Sequence, residues 1–363
     1  MQLPQPRHPE TVEPELFRVA PELRDRLPWI SLGHFPTPVD EIDVPGVGPV
    51  LVKRDDCCAA GYAGNKVRKL EFLLAAARAA EARRLITVGA AGSHHALATA
   101  YHGRRLGFDV SLVLFPQPLT EHVREIVLLD HAIGAELRWA ARMEAVPYAL
   151  WRARLAHRAE RPWVIAPGGS CEIGTLGYVS AGLELAEQLR TGEAAQPSRI
   201  HVAAGTLGTA AGIAIGLAWA GVELPIIATR ITSRLVTNQR VLETLIRRTT
   251  SRLRRAGTRP PDPAEAARLV ELRHDQLGAG YGLATPQALA AQEQLAACGL
   301  RLDVTYTAKA AAGLLAAAAA ADHTDAPPLL WQTLSAIEPR ELLRGGIEAE
   351  LPEPFARYLA GVR

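Results

Sequence analysis

Short, mainly apolar runs at residues 85–88, 110–115, 163–166, 200–204 and 226–230 alternate with longer stretches in which apolar positions recur every three or four residues. The short runs are the pattern of strands covered on both faces, and the longer ones that of helices lying against them. Leu70, Leu73, Leu74 and Ala77 form the clearest helical stripe, and 50–53 is a short strand before it. After 85–88 the Gly89-to-Ser93 turn leads into a helix to about Arg105. The strand at 110–115 is followed by a helix over about 120–131 and a short strand at 136–139. The rhythm resumes with the strand at 163–166, the turn Pro167-Gly-Gly-Ser170 and a helix over 177–189. The strand at 200–204, a glycine loop over 205–212, a helix to about Ala220 and the strand at 226–230 follow. This succession predicts an α/β protein with parallel twisted sheets and right-handed crossovers. It is expected to form two open three-layer α/β domains, a larger one from 1–68 plus 170–363 and a smaller inserted one from 69–169. Ligands of such folds bind at the carboxyl ends of the strands.

The remaining segments add little chemistry. Prolines at 4, 6, 9, 14, 21 and 28 exclude a long helix from the first 28 residues and predict an extended arm over the surface. Residues 234–259 are rich in arginine, but Leu235, Leu242, Leu245, Ile246 and Leu253 give them an apolar stripe. A solvated helical face is expected there rather than a nucleic-acid helix. The alanine-rich run 308–321 reads as a packed helix, because Lys309 and Asp322 interrupt it. With 363 residues, 48% hydrophobic, 21% charged and a net charge of +2, the composition is that of a globular protein without a polyanion-seeking field. No signal-peptide succession or membrane-length apolar run is present, so a cytoplasmic protein is expected. Cys57, Cys58, Cys171 and Cys298 have no metal or redox spacing and are expected to be reduced thiols. No metal site is expected.

Candidate chemistry starts with the lysines. Only four of the forty basic residues are lysine: Lys53, Lys66, Lys69 and Lys309. A desolvated lysine can lose its proton and attack a carbonyl, which arginine does not do. Lys66 and Lys69 lie three apart, behind the glycine turn at 61–64 and on one helical face. Lys53 and Lys309 read as retained surface lysines. Gly205-Thr-Leu-Gly-Thr209 follows a strand and opens a helix, so its backbone N–H groups and the helix terminus suit a phosphate. It lacks both the dinucleotide fingerprint and the Gly-Lys-Ser/Thr ending of a nucleotide loop. A phosphate cradle together with an imine-forming lysine points to pyridoxal 5′-phosphate.

The succession Lys53-Arg-Asp-Asp-Cys57, Ala63-Gly-Asn-Lys66-Val-Arg-Lys69-Leu-Glu71, Pro167-Gly-Gly-Ser170, Gly205-Thr-Leu-Gly-Thr209, Tyr281-Gly282 and Asp303-Val-Thr-Tyr306-Thr307-Ala-Lys309 resembles the D-cysteine desulfhydrase / 1-aminocyclopropane-1-carboxylate deaminase family of fold-type II pyridoxal-phosphate enzymes. The resemblance runs in order from about Pro36 to about Ser335. It implies that Lys66 carries the cofactor, that Lys69 is a phosphate ligand beside Gly205, Thr206, Leu207, Gly208 and Thr209, and that Tyr281 and Tyr306 lie near ring and substrate. It puts Thr307 opposite the pyridine nitrogen, a neutral partner that makes the ring a milder electron sink. Ser93 is implied at the substrate carboxylate, and His94 takes the place of an asparagine that contacts the ring hydroxyl. His95 fits either a substrate contact or an ordinary helix-terminal histidine.

Two segments depart from the family. Leu283-Ala-Thr-Pro-Gln287 replaces an acidic Glu-Gly element, and Gln332-Thr-Leu-Ser335 replaces a His-Thr-Gly-Gly strand end. The cofactor machinery therefore reads as retained and the substrate-reading surface as altered. The resemblance implies a lyase or deaminase that deprotonates Cα of a small amino acid and expels a β substituent, giving an oxo acid and ammonia. β-Replacement, a specialised biosynthetic reaction, aminocyclopropane deamination and a non-catalytic cofactor-binding homologue are the alternatives. A homodimer is expected by analogy.

Overall fold

The computed structural model describes residues 12–320, 326–342 and 350–361. Two sheets organise them. One has six strands: β1 (Val39–Val44), β2 (Gly48–Arg54), β7 (Ile200–Ala204), β8 (Ile226–Arg230), β9 (Val270–Arg273) and β10 (Leu329–Gln332). Their order is β1-β2-β10-β7-β8-β9, with β1 antiparallel to β2 and every other neighbour parallel. The other sheet is wholly parallel and four-stranded, ordered β5-β4-β3-β6. It comprises β3 (Arg84–Ala90), β4 (Asp109–Phe115), β5 (Glu136–Trp139) and β6 (Pro162–Ile165).

Helices cover both faces of each sheet, as parallel strands require. On the larger sheet, α6 (Leu176–Thr191), α7 (Gly208–Trp219), α8 (Gln239–Arg255) and α9 (Pro263–Arg268) bury one face, and α10 (Pro286–Ala296) and α11 (Thr307–Ala320) the other. On the smaller sheet, α2 (Lys66–Ala79), α3 (His94–Arg105) and α4 (Glu121–Ala132) pack opposite α5 (Val146–Ala156). The short α12 (Pro339–Leu342) and α13 (Glu353–Ala360) lie beside α4 and Trp139. α2 also packs on α6, and Gly177 makes this possible: a Cβ there would lie 2.0 Å from the Arg68 carbonyl oxygen.

Several sequence expectations change. The arm before Pro28 is not simply extended, because α1 (Glu15–Val19) forms and buries Leu16 and Phe17. Proline limits that helix to little more than one turn, and residues 1–11 lie outside the described residues. β1 and β9 were not predicted, and β10 was expected only as the strand end that the resemblance implies at Gln332. The acidic pattern of β1 and the half-exposed pattern of β9 belong to edge strands, which carry charge against further pairing. Fully buried β10 is only four residues long, too short to show a period. The arginine-rich segment forms α8 with Leu242, Leu245, Ile246 and Leu253 buried as expected. Leu235 lies outside the helix and is 88% exposed. The alanine-rich helix is α11, covered by the core around β2 and β10. Among the described residues, no helix is long and apolar enough to cross a membrane.

Candidate active site

Lys66 opens α2, at the end of a glycine turn held to the larger sheet by backbone bonds from Gly64 N to Asp55 O and from Asn65 N to Thr333 O. Beneath the turn lies a buried ionic anchor. Arg68 donates to Asp55 at 2.8 Å and to both oxygens of Glu184 at 2.8 and 2.9 Å. Lys53 reaches Glu184 Oε1 at 2.5 Å and the Thr37 carbonyl oxygen at 2.7 Å. Asp55 also accepts from Tyr178 and from Trp331 Nε1. Burial opposes ionisation of Glu184, but Arg68 and Lys53 outweigh it and hold its pKa at about 2. Lys53 is therefore no surface residue: it is 0% exposed and pins β2 to α6. Lys309 is also buried, donating to the Leu277 carbonyl oxygen at 2.8 Å.

The Lys66 amine donates to Asn65 Oδ1 at 2.6 Å, and the Asn65 amide donates to Thr209 Oγ1 at 3.3 Å. Desolvation lowers the Lys66 pKa to about 8, partly opposed by Asp303. A usable fraction of free amine therefore exists near neutrality. Lys69, three residues on, donates to the Gly168 carbonyl oxygen at 3.1 Å and to Ser170 Oγ at 3.2 Å. Ser170 Oγ also shares a proton with Thr206 Oγ1 at 2.6 Å and accepts from Gly208 N at 3.2 Å. Thus Lys66, Lys69 and the 205–209 loop converge.

This cradle fits a phosphate. α7 starts at Gly208 without a side chain from its N-cap residue Leu207 bonding its first turn, and the positive end of its dipole faces the cradle, where the Gly208 N–H already meets Ser170. Leu207 takes left-handed φ of 65°, which turns the loop onto the helix. A Cβ on Gly208 would lie 2.5 Å from Ser170 Oγ and 2.9 Å from Lys69 Nζ, so only glycine leaves this floor open. Burial and then the Lys66 charge push the Lys69 pKa well below its usual value. No carboxylate pairs with it among the described residues, and a bound anion would relieve this cost.

Tyr306 and Tyr281 share a hydrogen bond at 2.8 Å, with their rings edge to face at 6.0 Å. Burial raises the pKa of both phenols, so each keeps its proton. The Tyr306 ring packs on Gly205, where a Cβ would lie 3.5 Å from Cε1. Buried Thr307 begins α11; its hydroxyl donates to Asp303 Oδ1 and accepts from Asp303 N, both at 2.8 Å. With its proton committed to a carboxylate, Thr307 can only accept a hydrogen bond from a further partner.

The strand-to-helix turn after β3 divides its residues. Ser93 caps α3 by accepting from Ala96 N at 3.3 Å. His94 Nδ1 bonds the Tyr62 hydroxyl, and its Nε2 lies 3.2 Å from His122 Nε2. Burial and the neighbouring His122 depress the His94 pKa, so the imidazole pair is neutral and can pass protons from nitrogen to nitrogen. His95 turns elsewhere: Nε2 donates to Thr87 Oγ1 at 3.0 Å, and Thr87 in turn donates to Ile165 O. Its Nδ1 is buried without a hydrogen-bond partner among the described residues. His94, Tyr281 and Tyr306 line a cavity that Ser93 and His95 do not line.

Sequence reasoning missed Asn65 as the link from Lys66 to the loop, although it stood inside the quoted motif. It also missed the Tyr62–His94–His122 chain. Tyr62 stood within the glycine turn, while His122 carried no local signal, being brought to His94 only by packing of α3 on α4.

A lysine of lowered pKa beside a phosphate cradle, on paired α/β sheets, defines a fold-type II cofactor enzyme. The chain matches the family model of pyridoxal-phosphate dependent enzymes over residues 30–327 and belongs to that family. It is 37% identical over 340 residues to nocardicin C-9′ epimerase of Nocardia uniformis subsp. tsuyamanensis, covering 90% of this chain and 98% of that one. It is 31% identical over 320 residues to D-cysteine desulfhydrase of Salmonella paratyphi A, covering 84% and 93%. A crystal structure of an ACC deaminase homologue superposes with a TM-score of 0.74 at 29% identity, covering 92% of this chain and 99% of that one.

Proposed function

We propose that the protein uses pyridoxal phosphate, held covalently by Lys66 and through its phosphate by Lys69 and the 205–209 loop, to deprotonate Cα of an α-amino acid and eliminate a β substituent. The observation that carries this reading is the buried Lys66 amine, its pKa lowered to about 8, linked through Asn65 to Thr209 of the phosphate cradle. When bound, the cofactor supplies an electron sink for the pair left at Cα. The substrate's amino group would displace the Lys66 amine, and the Lys66 amine so freed takes the Cα proton. The electron pair of that bond becomes the Cα–Cβ double bond as the β group departs with its own bonding pair. Tyr281 or Tyr306, protonated and buried, donates the proton the leaving group needs. The released enamine reacts with water to give a 2-oxo acid and ammonia. Ser93 at the α3 N-terminus receives the carboxylate. His94, fixed by Tyr62 and His122, would hold the ring hydroxyl. Thr307, its hydroxyl proton given to the Asp303 carboxylate, would stand toward the pyridine nitrogen. D-Cysteine is the simplest substrate of this class, as the D-cysteine desulfhydrase relatives suggest. Release of thiol, oxo acid and ammonia from D-cysteine, compared with L-cysteine and aminocyclopropane carboxylate, tests the reading; no ammonia from any amino acid would sink it.

A second outcome of the same deprotonation is favoured by the relative named as an epimerase, which matches over 98% of its length. If a proton returns to the opposite face of Cα before any group leaves, the product is the other epimer. Deuterium entering Cα from heavy water without ammonia release would identify that course.

The domain division at 68/69 and 169/170, which puts the Lys66–Lys69 pair on the seam, belongs to the same proposal, as does a homodimer. A cytoplasmic location is supported by four free cysteines.

A further inference from the structure

The cavity beside His94, Tyr281 and Tyr306 has a volume of about 870 Å³. Pockets that hold drug-sized molecules span roughly 300–1,000 Å³. Lys66, Lys69 and the 205–209 loop do not line it, so this space lies outside the cofactor cradle. A cysteine-sized substrate would leave most of it to water. Water next to the reacting carbon would weaken every charge interaction there and offer an uncontrolled proton source.

The walls are of two kinds. Leu289 and Ala296 present an apolar strip on the exposed side of α10, with Leu289 50% exposed. Other lining residues are polar. Gln292 Nε2 is tied to the Leu302 carbonyl oxygen at 2.6 Å, leaving its amide oxygen for another partner. Arg301 Nη1 donates to Ser335 O at 2.7 Å and its Nε meets Glu338 Oε1 at 3.2 Å, yet its side chain stays 33% exposed. Residues held in place but left partly uncovered in a cavity wall are suited to a ligand.

Resting on the reading of this site as one that deprotonates an amino acid, we propose that the substrate is an α-amino acid with a long side chain. Its apolar part lies against Leu289 and Ala296, and a polar group on it meets Gln292, Arg301 and Glu338. Such a side chain fills the chamber and dries the reacting end. A cofactor-loaded protein shows this through the shift of its visible band on titration with serine, O-methylserine, O-benzylserine and O-(4-carbamoylbenzyl)serine, each as D and L forms. Serine replaces cysteine because a free thiol adds to the cofactor aldehyde by itself. The dissociation constant should fall about tenfold or more from serine to the longest ether, as apolar area is covered. Leu289→Asp, on an exposed helix face where folding tolerates it, should cut that preference for the longest ether about tenfold. Equal or tighter binding of serine overturns the inference while leaving the amino-acid reading intact. A band that responds to none of the eight compounds overturns both.

Discussion

The proposed cofactor side of this site and its proposed substrate side are built differently. On the cofactor side, small residues bring backbone close: Gly208 sits under Lys69 and Ser170, Gly205 under Tyr306, and Asn65 bridges Lys66 to Thr209. Below it the Arg68–Asp55–Glu184–Lys53 anchor fixes the start of α2 in the buried interior. On the substrate side, long side chains from separate segments meet across open space, among them His94, His122, Gln292 and Arg301. A phosphate and a pyridine ring do not vary, so their site tolerates no slack. A chamber walled by side chains can change its reading while the fold stays the same.

Breaking the cofactor side should have the largest effect. Lys66→Ala removes both tether and base, and turnover should fall by ~10³-fold or more, read as ammonia release. Arg68→Ala leaves two buried carboxylates without their shared cation. It should cost about 3–5 kcal/mol, measured by urea unfolding, whereas a surface role for Arg68 would leave the unfolding midpoint in place. Gly208→Val puts methyl groups into the cradle and should weaken cofactor affinity about tenfold or more, with the fold intact by circular dichroism. The pH dependence sharpens the contrast more gently. Only the free amine attacks an aldehyde, and the Lys66 pKa is lowered to about 8. Cofactor uptake by the apo protein should therefore rise about tenfold per pH unit below that value and level off above it. A rise continuing toward pH 10 would mean a solvated, unperturbed lysine.

Much of the cofactor side was legible because it is local. The mainly apolar runs at 200–204 and 226–230 and the glycine loop between them correspond to β7, β8 and the start of α7. Lys66 and Lys69 stand in one motif, and backbone geometry follows directly from glycine placement. The anchor was hidden, since Lys53 and Glu184 lie 131 positions apart and a lone lysine reads as surface. The substrate side was legible only as a departure: the segments at 283–287 and 332–335 were known to differ, but not what they differ toward. Arg301, Gln292 and His122 belong to a chamber that exists only once α10, α4 and the turn before α11 are packed. Edge strands β1 and β9 escaped for a related reason, since their charges serve to prevent pairing and so erase the apolar pattern.

The covalent seat of the cofactor is the point on which both halves depend. Reduction of the pyridoxal-phosphate-loaded protein with borohydride, followed by peptide mapping, should find a single phosphopyridoxyl group, on Lys66. A group carried by Lys69, Lys53 or Lys309, or no stable adduct from protein loaded with the cofactor, would contradict the account.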